Sequence, residues 1–163
     1  MPLRLDPNSA LDHLPQPFVI VTAGDFEKPG RRGGMTAAWV SRVSMSPPLI
    51  MVSMASSRYT LELVKEHGEF AVNIVGGKLE KAAHGVFGSR TGRGRDKIAE
   101  SGVRARKGEK TSVPILEDAA VSLECRLVKT VEAGDHVLVV GEVVNAFKFS
   151  DEQPLVFVPR GSR

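Results

Sequence analysis

Between an apolar run, Leu49 to Val52, and a helical pattern through Leu61 and Val64 to Gly68, the chain places Ser53, Ser56, Ser57, Arg58, Tyr59 and Thr60. A helix N-terminus leaves several N–H groups unpaired, with a partial positive charge behind them. Hydroxyls from Ser56, Ser57 and Thr60 and the fork of Arg58 at such a corner could therefore hold a phosphate. For any single serine, capping of the helix is the simpler reading, with Arg58 a solvated surface residue. Spacing leaves both open.

Two further stretches carry chemistry-bearing residues. Thr36-Ala37-Ala38 opens a run that ends at Pro47-Pro48, and small side chains there would let a planar ligand lie against backbone. The alternative makes Gly33-Gly34 only a turn and the alanines only core. His136 follows Gly134-Asp135 at the mouth of a hairpin, where a lone histidine is more often structural than catalytic. Other sites are missing from the pattern. Gly92 and Gly94 begin a GxG that does not close as a dinucleotide fingerprint, because position 97 is lysine and no strand precedes it. No Walker motif or GxSxG elbow occurs, and His13, His67, His84, His136 and Cys125 lack metal-ligand spacing.

The elements that must position these residues read mainly as strands. Phe18 to Thr22, Met35 to Ser44, Leu49 to Met54, Phe70 to Val75, Val121 to Leu127, His136 to Phe149 and Leu155 to Val158 are apolar or alternating runs. Pro47-Pro48 excludes helix before the third, and Gly141 marks a candidate bulge. Glu132-Ala133-Gly134-Asp135 has hairpin chemistry. Helices are expected at Ser57 to His67, Lys78 to about Val86, Arg95 to Ser101 and Ser9 to Leu14. This pattern suggests a closed or split antiparallel barrel rather than a βαβ sheet.

The 163 residues are expected to form a single domain, 1–163, with an ordinary 42% apolar and 25% charged content. No run is long enough to cross a bilayer and no signal-peptide core opens the chain, so no membrane is expected. One cysteine precludes an internal disulfide, and the expected location is cytoplasmic. The net charge of +3 is uneven: Gly88 to Lys110 carries +5 and the remainder −2. Such a segment could bind an anionic ligand or a nucleic-acid backbone, but Phe87 is the only aromatic nearby to stack on bases. No nucleic acid is expected.

In order along the chain stand Met35-Thr36-Ala37-Ala38-Trp39-Val40, Ser44-x-x-Pro47-Pro48-Leu49, Ser53 to Thr60, Gly68-Glu69-Phe70-Ala71-Val72-Asn73, Phe87-Gly88 with Thr91-Gly92-Arg93 and Asp96-Lys97, Leu123-Glu124-Cys125, and Gly134-Asp135-His136 with Gly141-Glu142-Val143. Together they resemble the flavin reductase-like family, which includes the flavoredoxins, over about Phe18 to Val158. The resemblance implies a mainly β, FMN-binding split β-barrel, antiparallel and Greek-key-like, with a few short helices.

By the same resemblance, Met35, Thr36, Ala37 and Ala38 line the isoalloxazine edge, and Ser53 and Met54 offer backbone groups from the neighbouring strand. Ser57, Arg58 and Thr60 hold the flavin phosphate, Thr91, Arg93 and Lys97 form a second phosphate-proximal loop, and Asn73 lies near the cofactor. The alternative for Asn73 is a buried amide fixing neighbouring strands. His136 marks where the nicotinamide of NAD(P)H enters. Gly33-Gly34 replaces the family's usual asparagine, Thr91 its usual serine, and the segment 90–106 is unusually arginine-rich. The implied activity is NAD(P)H:flavin oxidoreduction with FMN bound, in a homodimer. The electron acceptor would be free flavin, a ferric chelate or a redox protein. The alternative is a flavoredoxin-like carrier with little NAD(P)H activity. No acid–base pair is expected, because the flavin carries the chemistry.

Overall fold

A computed structural model describes residues 1–159. The short helix α1 (Pro7–Leu11) is capped by Asp6 and leads into β1 (Gln16–Pro17) and β2 (Val19–Gly24). Then come β3 (Arg32–Ala37), β4 (Val40–Ser44), β5 (Leu49–Ala55), α2 (Tyr59–His67) and β6 (Glu69–Ile74). Helix α3 (Gly77–Ala82) runs into a π-helical turn, Ala83–Phe87, and α4 (Lys97–Ser101) precedes the small hairpin of β7 (Ala105–Lys107) and β8 (Pro114–Leu116). The long hairpin of β9 (Val121–Ala133) and β10 (His136–Lys148) follows, and β11 (Val156–Phe157) returns to pair with β1.

Seven strands form one antiparallel sheet in the order β3-β2-β6-β9-β10-β5-β4. The mainly β, antiparallel expectation therefore holds, but the sheet is not closed into a barrel. Its edges, β3 and β4, are nevertheless consecutive in the chain, joined only by Ala38 and Trp39. A link that short must bring the two edges together, and the amide of Ser53 on β5 donates to the Trp39 carbonyl at 2.9 Å. The run Met35 to Ser44 is thus two strands. Its alternation fails at the corner, where the chain crosses from one sheet edge to the other. Gly33 and Gly34 are not a turn either. They lie within β3 opposite Ala23 and Thr22, and a Cβ on Gly34 would stand 3.0 Å from the Phe87 ring.

Of three apolar clusters among the described residues, two larger ones hold the frame. Val21, Val52, Met54, Phe70, Val72 and Val139 pack with Leu61, Leu63 and Val64 of α2. Phe18, Ile20, Leu79, Phe87, Ile98 and Leu116 form the other. Each such side chain contributes roughly 1.5–3 kcal/mol by leaving water, so α2 is anchored and its N-terminus fixed relative to β5. The register of β10 shifts at Val140/Gly141, where any Cβ would collide with the Phe70 ring. The bulge read at Gly141 is real, and its cause is close packing. The hairpin turn is Gly134-Asp135, with Gly134 at φ +60°. Among the described residues no helix is long and apolar enough to cross a membrane.

Candidate functional site

The corner after β5 does not use its serines as caps. Arg58 occupies the N-cap position of α2 with no capping side chain, and helix begins two residues later than the sequence suggests. The amides of Leu61 and Glu62 reach back to the Arg58 carbonyl, which leaves those of Tyr59 and Thr60 at the open helix end. The Ser57 and Thr60 hydroxyls and the Arg58 guanidinium make no hydrogen bond within the described residues, although Thr60 is only 4% exposed. A concentration of unspent donors at a helix N-terminus fits an anion.

These donors face a cavity of about 210 Å³, lined by Ser57, Arg58, Tyr59 and Thr60 on one side and Gly88 to Gly92 with Lys97 on the other. The loop is pinned in place. Gly92 lies so close to the Tyr59 ring that a Cβ would come within 2.9 Å, and the Thr91 hydroxyl accepts the Arg93 amide. Asp96 caps α4 and grips Arg32 at 2.8 Å. Burial pushes the Asp96 carboxyl up, but Arg32 and the Ala99 amide outweigh it and hold it below the usual carboxylate range. Asp96 thereby fixes the helix that turns Lys97 inward. Lys97 is 4% exposed, and its Nζ donates to the carbonyls of Arg90 (2.6 Å) and Phe87 (3.2 Å). Burial first, and the positive charge of Arg58 second, lower its pKa to about 8. An anion in this cavity would favour the charged form.

A second cavity, of about 290 Å³, shares Met35 and Arg58 with the first. Thr36, Ala37, Ala38 and Trp39 of the edge-to-edge corner form one wall, with Ser53 and Ala55 of β5, His136 of β10, and Gln16 and Phe157 of the terminal strand pair completing it. The alternation of β5 explains the split between its residues. Ser53 and Ala55 share the cavity face, whereas Met54 points oppositely into the core and is fully buried. The Thr36 hydroxyl lines the cavity but donates to the Ala83 carbonyl at 2.6 Å, tying β3 to the π-helical turn. His136 lies under Trp39, ring centroids 4.6 Å apart, and its Nδ1 is 2.7 Å from the Asp135 carboxylate. That hydrogen bond is the main reason the Asp135 carboxyl is held below its ordinary range.

The structure thus brings together Met35, Thr36, Ala37, Ala38, Ser53, Ser57, Arg58, Thr60, Thr91, Lys97 and His136 around two adjacent cavities that share Met35 and Arg58. Three other candidates lie elsewhere. Met54 is core. Arg93 is spent on α2: it forms a two-pronged pair with Glu62 at 2.8 and 2.7 Å and lies over the Tyr59 ring, so it straps the loop rather than facing the cavity. Asn73 is fully buried between strands. Its amide donates to the Ile20 carbonyl and Thr22 hydroxyl and accepts from the Leu116 amide and Ser122 hydroxyl. It fixes neighbouring strands, the alternative reading of its role. Gln16, Trp39, Ala55, Tyr59 and Phe157 were not legible as wall residues, because each reaches the site through long-range pairing or a corner.

The arginine-rich segment also has a structural account. Of its eight basic residues, Arg90, Arg93, Arg95, Arg104, Arg106 and Lys107 stand in ion pairs with carboxylates, and Lys97 is buried. Its charge is largely neutralised locally.

Residues 11–163 match the family model described as the flavin reductase like domain. An uncharacterized protein of Aeropyrum pernix is 41% identical over 135 residues, 82% of this chain, which spans only 49% of that relative's length. An NADH-dependent flavin reductase of a Rhodococcus species is 33% identical over 156 residues, covering 96% of this chain and 82% of the relative. The structure of the Streptomyces globisporus NADH:FAD oxidoreductase SgcE6 with NAD and FAD fragments superposes with a TM-score of 0.84 at 27% identity, covering 99% of this chain and 94% of that one.

Proposed function

The chain belongs to the flavin reductase-like domain family, and from that premise we propose that it binds FMN across the two cavities and acts as an NADH-dependent flavin reductase. The observation that carries the reading is the set of unspent donors at Ser57, Arg58 and Thr60, facing a buried Lys97 across a cavity that adjoins, through Met35 and Arg58, a second one with a small-residue wall. The donor set fits one terminal phosphate, and the wall at Thr36, Ala37 and Ala38 has the small side chains a planar ring needs to approach backbone. The donors converge on a single basic cavity, and no second glycine loop for another phosphate lies beside it among the described residues, which favours FMN over FAD.

Bound there, a flavin supplies the hydride and electron transfer, and the protein's share is binding, orientation and electrostatics. Arg58, Thr60, Ser57, Thr91 and Lys97 would hold the phosphate. Met35, Thr36, Ala37, Ala38 and Ser53 would bound the ring. His136, kept in place by Asp135 and Trp39, is where a nicotinamide would dock. The electrons would pass on to free flavin, a ferric chelate or a redox protein.

A homodimer belongs to the same proposal. β6 pairs with β9 only from Ser122 to Arg126, so the outer half of β9 has β10 as its sole neighbour among the described residues, and Val128 and Val131 are exposed there. An open, partly apolar strand edge is a natural place for a second copy.

Anaerobic mixing of the flavin-loaded protein with NADH tests the activity. Rapid loss of the flavin's visible absorbance is expected. Flavin that stays bound and oxidised under NADH or NADPH would replace the reductase with an electron carrier, and no flavin binding after reconstitution would refute both.

A further inference from the structure

A third cavity, of about 420 Å³, adjoins the ring cavity and shares Ala38 and Trp39 with it. Its wall is mainly apolar, built by Leu11, Leu14 and Pro15 of the N-terminal segment, Trp39 and Val40 of the edge-to-edge corner, and Met51 of β5. Leu11, Leu14 and Trp39 are each more than half exposed, and α1 buries none of its residues. The N-terminal segment therefore gains little from the core, yet it holds its leucines beside the corner that walls the ring cavity. Large apolar side chains gathered exposed around one cavity, rather than scattered singly, mark a place where something apolar binds. No lysine, arginine or histidine stands among the described residues of this wall, and Asp12 is its one charged side chain. The phosphate cavity, by contrast, presents Arg58 and Lys97.

We infer that this cavity binds an uncharged aromatic electron acceptor, a small quinone, beside the flavin. The inference rests on the flavin-binding reading and narrows its choice of acceptor. Ferric chelates and flavin nucleotides are anions, and an apolar wall with a carboxylate and no cation disfavours them. A redox protein is too large to enter. Asn8 lies on the same wall, and its side-chain amide makes no hydrogen bond within the described residues, so a donor is at hand for a quinone carbonyl. Because Ala38 and Trp39 line both cavities, no more than that shared wall separates acceptor from ring. The anionic reduced ring would give up two electrons and its N5 proton, and solvent would supply a second proton. The two quinone carbonyls would then become the hydroxyls of a hydroquinone.

Trp39 is the chain's single tryptophan, so its fluorescence reports occupancy without any turnover. In the FMN-loaded protein, whose ring cavity is already filled, menadione should quench this emission saturably. An anionic naphthoquinone sulfonate should bind at least about tenfold more weakly, because the wall offers its charge no partner. Leu14→Asp should lower menadione affinity by about tenfold, the scale of one lost aliphatic contact, and leave FMN affinity unchanged. Leu14 is exposed, so this variant should fold, as circular dichroism would verify. Mixed anaerobically with menadione, dithionite-reduced FMN-loaded protein should be reoxidised more slowly in Leu14→Asp than in wild type. Quenching that does not saturate, a sulfonate that binds as well as menadione, or a Leu14→Asp variant with wild-type affinity overturns the site while flavin binding stands. So does a Trp39 that a second copy of the chain shields from the quinone. Failure of the protein to bind FMN would instead sink the flavin reading, and the acceptor role with it.

Discussion

Lys97 should make flavin affinity fall with rising pH in a window set by its burial. In the free protein its pKa is lowered to about 8, by burial first and by Arg58 second. A bound phosphate monoester, already close to a dianion at neutral pH, would oppose both effects and keep the lysine charged well above that value. Binding then takes up a proton wherever the free protein has lost it. With a free-state pKa near 8 and a much higher one in the complex, affinity should drop by about tenfold between about pH 7 and about pH 9. Fluorescence titration of apo-protein with FMN at both values measures this. Riboflavin, which lacks the phosphate, is the control, and its affinity should show no such step. Lys97→Met should bind FMN more weakly at neutral pH and lose the step. An equal fall for riboflavin, or a flat FMN profile, would refute the argument that Lys97 faces the phosphate.

The same shift has a signature on stability. The unfolded chain binds this proton up to about pH 10.4, so between about 8 and that value it holds more protons than the folded protein, and the apo-protein should gain stability from this group as pH rises. Arg58→Ala should weaken FMN binding by roughly 1.5–3 kcal/mol, the scale of a charged hydrogen bond, with little change in melting temperature; unchanged affinity with a lowered melting temperature would make it a structural residue. His136→Ala should slow flavin reduction by NADH in stopped-flow while FMN stays bound, and a wild-type rate at limiting and saturating NADH would remove it from the nicotinamide path. Asn73→Ala should leave the Leu116 amide and Ser122 hydroxyl buried without their acceptor, lowering stability by about 2–5 kcal/mol; lost flavin affinity at unchanged melting temperature would put Asn73 back in the site.

What the sequence made legible was local. Ser57, Arg58 and Thr60 could be read at a strand-to-helix corner because a helix end has fixed chemistry, and Thr36 to Ala38 because small residues leave a backbone open. Arg93 sits in the same loop as Thr91 and Lys97, yet nothing local shows that Glu62 on α2 captures it. The roles of Asn73 and Met54 depend on which face of a strand meets the core, and Asn73 finds its partners 43 to 53 residues away. The pairing of β1 with β11 joins the two ends of the described chain, so Gln16 and Phe157 could not be anticipated as neighbours. The long hairpin, its Gly134 turn and the Gly141 bulge were legible because turn chemistry and packing glycines mark their own positions. The failure of barrel closure was not, since it depends on how far the Ala38-Trp39 corner lets two edges approach.

The central claim is that the two adjacent cavities hold one flavin, with its phosphate in the basic one. A crystal structure of the protein reconstituted with FMN tests it most directly. The account predicts phosphate density among Arg58, Thr60 and Lys97 and the ring against Thr36 to Ala38. Flavin density placed elsewhere, or a phosphate held by Arg93 with Lys97 left on its carbonyls alone, would contradict it.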